Sequence, residues 1–128
     1  MIKPINPIKP SPIIFGSKSI LKTLFKNGEL PSVVKGLYGG KLTKDNATLE
    51  HIKAKSKGGA SALTNYALAT FENNGKRGNA QITNYLTKDN AIEYLKQFEN
   101  VQLPNFDGNQ YIKGIVKTLK KEGLDILA

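Results

Sequence analysis

The sequence predicts an α+β domain: a short ββα unit near residues 41–79, set between helical flanks. Three observations carry that expectation. An apolar stretch, Ala47-Thr-Leu-Glu-His-Ile52, ends on a carboxylate and the only histidine of the chain, then enters the loop sequence Lys53-Ala-Lys-Ser-Lys-Gly-Gly59. A second apolar run, Asn65-Tyr-Ala-Leu-Ala69, leads directly into a helical pattern that begins at Thr70. Residues 87–122 carry the spacing of two amphipathic helices.

The elements follow in chain order. Residues 1–16 hold Pro4, Pro7, Pro10 and Pro12 among Ile and Lys, which predicts an extended arm, because proline fixes φ and restricts its predecessor. The domain proper is expected over 17–128. Ser17–Asn27 reads as a helix with Ile20, Leu21, Leu24 and Phe25 on one stripe and Gly28 as its stop. Pro31 suits the first position of a further short helix reaching Gly36, and Tyr38-Gly-Gly40 reads as a turn. Lys41–Thr43 and Ala47–Ile52 are expected to pair as a hairpin around Lys44-Asp-Asn46. Thr70 is placed to cap a helix reaching Arg77, with Gly78 closing it. Thr87 is placed to cap 88–98, and Asp107 or Asn109 to open a last helix through Lys121.

Composition narrows the function classes. The 128 residues bound a single domain, and the absence of cysteine excludes disulfides and Cys-ligated zinc. The net charge is +9 and is unevenly spread. Residues 1–60 hold eleven lysines against three acids (+8), and 61–128 hold eight basic residues against seven acids (+1). A polyanion is the natural partner, with the N-terminal half as the expected footprint. Met1–Pro12 has no apolar core of a signal peptide, and no apolar run approaches the ~20 residues of a membrane span. A cytoplasmic protein with no membrane partner is expected. The tyrosines and phenylalanines read as core, since no aromatic-plus-basic cluster of a single-strand binder stands out.

Glu50 and His51 point to opposite faces of a strand unless the chain turns at that point, and the loop that follows supplies such a turn. A carboxylate and an Asn carbonyl are oxygen ligands for a hard cation that keeps several waters, and a neutral histidine is a general base for water. A lone histidine beside a glutamate, with no other signal, is more often a satisfied structural residue than a base. Lys53, Lys55 and Lys57 read either as a phosphate cradle or as a solvated loop.

Three spaced pieces, Ala47–Gly59, Leu63–Ala69 and Glu72–Asn79, together resemble the motif of the HNH endonucleases (His-Me finger, ββα-metal nucleases). That motif is an acid-His pair after an apolar strand, a basic loop ending in Gly-Gly, an Asn opening the next strand, and a helix bearing Asn or His before Lys/Arg-Gly-Asn. The resemblance covers about a quarter of the chain. It implies Glu50 and Asn74 as metal ligands, with Asn73 the alternative to Asn74 by a one-residue shift, His51 as general base, and Asn65 as the residue that holds the loop and orients His51. Lys76 and Arg77 would join Lys53, Lys55 and Lys57 on phosphate. The implied cofactor is one divalent ion, Mg²⁺ with Mn²⁺ able to substitute. The implied partner is double-stranded DNA, RNA being the other polyanion, acted on by a monomer or homodimer that nicks or cuts both strands. Small size and a basic arm also suit a phage or mobile-element enzyme. The family usually has Asp at the position of Glu50 and a proline near Ala54, and many members carry a CxxC pair that is missing here. Two rivals stand beside a nuclease: a non-catalytic nucleic-acid-binding protein on the same fold, and a nuclease toxin domain.

Overall fold

The computed structural model describes residues 20–128, so the expected arm over 1–16 and the expected helix start at Ser17 lie outside the described residues. Four helices and two small two-stranded antiparallel sheets make up the α+β domain. Helix α1 is Ile20–Lys26, strands β1 and β2 are Ala47–His51 and Tyr66–Thr70, and helix α2 is Phe71–Arg77. Helix α3 is Lys88–Lys96, strands β3 and β4 are Gln102–Leu103 and Phe106–Asp107, and helix α4 is Gly108–Lys121. Among the described residues no helix is long and apolar enough to cross a membrane.

Strand β2 is buried along its whole length and forms the spine of the core. It pairs with β1 from Ala47↔Thr70 to His51↔Tyr66. A two-stranded sheet leaves one edge of β2 unpaired, and buried backbone groups there need other partners. Leu37 N donates to Leu68 O at 2.8 Å. Two tyrosines complete the edge: Leu68 N donates to Tyr94 Oη (2.9 Å), and Tyr111 Oη donates to Tyr66 O (2.7 Å). Tyr111 has only one hydroxyl proton, so Tyr94 is the donor in the 2.9 Å contact between the two rings. Burial pushes both phenols above their ordinary range. The aromatics expected in the core are largely there, with Tyr66, Tyr94, Phe98, Phe106 and Tyr111 buried, whereas Phe71 is 72% exposed at the start of α2.

The caps form where the sequence places them. Thr70, Thr87 and Asp107 accept from the backbone N–H three residues on, at Asn73, Asn90 and Gln110. Gly78 closes α2 by donating to Asn74 O, and Gly123, at φ +103°, ends the chain's longest described helix. Helix α3 stops at Lys96, two residues short of the expected end.

Two expectations fail. No helix forms over residues 31–36: Pro31 and Ser32 lie in a turn, and Lys35 bridges Lys41. Lys41–Thr43 does not pair with β1. Thr43 and Asn46 exchange reciprocal bonds instead, Thr43 N to Asn46 Oδ1 (2.8 Å) and Asn46 N to Thr43 Oγ1 (3.1 Å). That closed turn sends Leu42 into the core and hands β1 to the more apolar β2.

Candidate functional site

Side chains of Thr48 and Glu50 share one face of β1, and α2 packs across that face. Glu50 is only 4% exposed. Its Oε2 accepts from Tyr38 Oη at 2.6 Å and lies 3.2 Å from Arg77 Nη1. Tyr38 is held in place by the loop around it: Asn90 Nδ2 donates to Tyr38 O and Asn73 Nδ2 to Gly39 O. Burial, then the neighbouring Glu50 charge, pushes the Tyr38 phenol far above its ordinary range, so it stays a proton donor to the carboxylate.

Arg77 is the largest departure from expectation. A phosphate contact was expected, yet the side chain is turned inward and the residue is 4% exposed. Nε donates to Ala80 O (2.8 Å), Nη2 to Ile52 O (2.9 Å), and Nη1 to His51 O beside the Glu50 pair. A buried guanidinium needs a charge and several acceptors, and the end of β1 supplies both. In return, Arg77 pins the carbonyls at the point where the chain leaves the strand. Lys76, its neighbour, is exposed and lies 3.7 Å from Glu72 one turn earlier.

His51 sits at the half-buried end of β1, its ring edge-on to its cross-strand neighbour Tyr66 at 4.8 Å. Nε2 is buried without a hydrogen-bond partner among the described residues. Desolvation lowers the His51 pKa below its ordinary value, the Glu50 charge opposes that shift, and Lys55 and Arg77 add to it. A charged ring would bury an N–H with no acceptor, so both observations favour neutral imidazole.

Asn65 closes the loop after His51. Its Oδ1 accepts from Lys53 N (2.8 Å), and its Nδ2 donates to Lys53 O (3.1 Å) and Ala60 O (3.0 Å). Its own carbonyl accepts from Ile52 N at 2.9 Å. The clamp acts on the two residues after His51, not on the imidazole. Lys53, Lys55 and Lys57 all project from the clamped loop into solvent.

The two candidate asparagines of α2 differ in what they leave over. Asn73 uses both ends of its amide, Oδ1 for Tyr85 Oη (3.3 Å) and Nδ2 for Gly39 O (3.4 Å). Asn74 donates Nδ2 to Thr48 Oγ1 (3.0 Å) and Leu49 O (3.2 Å), and its Oδ1 has no partner among the described residues. Glu50 Oε1 likewise has none. As donor types, a carboxylate oxygen and an amide oxygen suit a hard cation that keeps its waters. Among the described residues no cluster of three His, Cys, Asp or Glu exists, so the donor set does not fit a closed zinc site. Because Arg77 offsets the Glu50 charge, binding of a cation here would draw on a further anionic ligand such as phosphate.

Tyr38 and Thr48 are site residues that sequence reasoning missed. Tyr38-Gly-Gly40 carries a turn signal, and nothing local links that tyrosine to a carboxylate twelve positions later. Thr48 was legible only as an alternating strand position.

No family model matches the chain, and no curated protein or solved structure is significantly similar to it.

Proposed function

We propose that this protein is a metal-dependent endonuclease of the HNH type, hydrolysing phosphodiester bonds of DNA on a ββα-metal core. The observation that supports this reading best is the strand–loop–strand–helix unit itself. It brings Glu50, His51, Asn65 and Asn74 to one strand end, with a histidine whose pKa is lowered by desolvation and two oxygens that have no partner among the described residues.

In this reading Glu50 and Asn74 would hold a divalent cation of the Mg²⁺ class, which would supply Lewis acidity at the phosphate and charge for the departing oxygen. Tyr38 and Arg77 occupy Oε2 and so hold the carboxylate in one rotamer. The imidazole of His51 takes a proton from water as its oxygen attacks phosphorus. The P–O3′ bond breaks and the departing oxygen takes up a proton from solvent water, leaving a 5′-phosphate and a 3′-hydroxyl. Asn65 keeps the loop closed behind the base, and Lys53, Lys55 and Lys57 hold the flanking phosphates.

The test is cleavage of supercoiled plasmid with Mg²⁺, Mn²⁺ or EDTA, wild type beside His51→Ala. Loss of a general base lowers the rate by about 10²–10⁴, so metal-dependent nicking should vanish in the variant. One observation favours the rival reading of a non-catalytic nucleic-acid binder: Tyr38 and Arg77 already partner Oε2 of the buried Glu50, which suits a structural role for the carboxylate. Salt-sensitive DNA binding by folded protein, with no cutting under any metal, would select that rival. Cutting that survives His51→Ala would remove the site assignment altogether.

A further inference from the structure

Helix α4 is the longest described helix and carries no acidic residue over Gly108–Lys121, although it bears Lys113, Lys117, Lys120 and Lys121. Tyr111, Ile115 and Leu119 bury one face. Lys113, Lys117 and Lys121 recur every fourth residue on the opposite, exposed side. None of the three has an ion-pair partner among the described residues, whereas Lys120 lies 3.9 Å from Asp125. Asp107 is engaged as the N-cap, and Glu122 follows the last turn.

The position of this stripe follows from two contacts. Thr118 Oγ1 donates to Thr64 O at 2.7 Å. At Gly114 a methyl group would stand 2.9 Å from Thr64 Cγ2, so the glycine sits where the helix closely approaches the 63–65 turn. Thr64 adjoins Asn65, whose amide clamps the Lys53–Ala60 loop. Gly114 and Thr118 lie on the flank of α4 next to Lys117 and Lys121. The loop lysines and the helix lysines therefore border the same short turn from two sides.

We infer that α4 supplies a second phosphate-binding track, and that Lys113, Lys117 and Lys121 extend the loop footprint along the backbone of double-stranded DNA. The inference rests on the nuclease or nucleic-acid-binding reading above and adds the direction in which the duplex runs. Charge complementarity carries it. Lysines four apart rise roughly 6 Å per step, so the stripe covers about 12 Å of helix axis. A duplex presents one charge per ~1.7 Å, or roughly seven phosphates over that length. A duplex is favoured over a single strand because the stripe carries no exposed aromatic ring on which bases would stack.

The experiment is fluorescence anisotropy of a short labelled duplex in EDTA across a salt series. Wild type is compared with K113Q/K117Q/K121Q and with K53Q/K55Q/K57Q, and thermal melts check that both variants fold. Each lost phosphate contact lowers the slope of log K against log salt by about 0.9, so the helix variant should lose about 2–3 from the wild-type slope. A helix variant that matches wild type while the loop variant weakens overturns the inference and leaves the loop assignment standing. Wild type with no salt-dependent binding overturns the nucleic-acid reading together with the inference. Unlabelled single-stranded RNA that competes better than duplex DNA overturns the assignment to a duplex.

Discussion

Replacing Arg77 by methionine tests the interior of the site directly. The side chains of Arg77 and Glu50 are 2% and 5% exposed, so the substitution leaves a carboxylate in the core with Tyr38 as its one partner among the described residues. It also removes the donors to His51 O, Ile52 O and Ala80 O. Breaking a buried pair from one side costs about 3–5 kcal/mol, and stranded carbonyls belong to the same loss and are not added to it. A value of roughly 4 kcal/mol is a large share of the ~5–15 kcal/mol by which domains are stable. For a domain of this size each kcal/mol moves Tm by about 3–5 °C, which gives a drop of roughly 12–20 °C. Thermal and urea denaturation followed by circular dichroism read the change. Glu50→Gln in the same protein removes the stranded charge, so the double variant should be more stable than additivity predicts, with a coupling above about 1.5 kcal/mol. An Arg77→Met protein within about 1 kcal/mol of wild type would refute the reasoning. The guanidinium would then behave as a surface group free to meet phosphate.

Further outcomes follow from the same contacts. Lys76→Gln, one residue away on the exposed side, should change stability by less than about 0.5 kcal/mol in the same melts. Because the folded His51 pKa lies below the unfolded value of 6.5, the unfolded chain binds the extra proton first. In EDTA this contribution is fully present above pH 6.5 and is lost as pH falls through the folded pKa; His51→Ala should flatten that part of the stability profile. Asn65→Ala removes three hydrogen bonds from a residue 4% exposed. It should cost about 2–4 kcal/mol and speed hydrogen exchange at Lys53 N. Two glycines should respond in opposite directions to alanine. At Gly59 the methyl would stand 1.9 Å from Lys53 O, and a loss of more than about 3 kcal/mol is expected in urea denaturation. At Gly75, inside α2 with open space around it, alanine should stabilise by about 0.5–1 kcal/mol.

Much of the architecture was legible because its causes lie within a few residues. A cap is a bond between a side chain and the amide three positions on, so Thr70, Thr87 and Asp107 announce their helices without reference to the rest of the molecule. The loop glycines and the apolar spacing of α4 are likewise local. Asn65 was read as the residue that holds the loop, and its amide does bond across Lys53 and Ala60. The partner of β1 was misread because the choice between 41–43 and 66–70 depends on which strand buries more apolar surface, a property of the assembled core.

The sequence alone determined the α+β composition and the helix caps at Thr70, Thr87 and Asp107. It also determined the positive charge, yet adding charge over halves of the chain concealed an all-basic helix in the half that sums to +1. Only the tertiary structure decided that Arg77 faces inward, that Tyr38 occupies one oxygen of Glu50, and that Asn74 rather than Asn73 keeps a carbonyl oxygen without a described partner. The physical reason is common to all three. A side chain's range of contacts is set by its own length and chemistry, but whether it meets water, a charge or a backbone carbonyl is decided by elements distant in sequence that the core brings within about 3 Å.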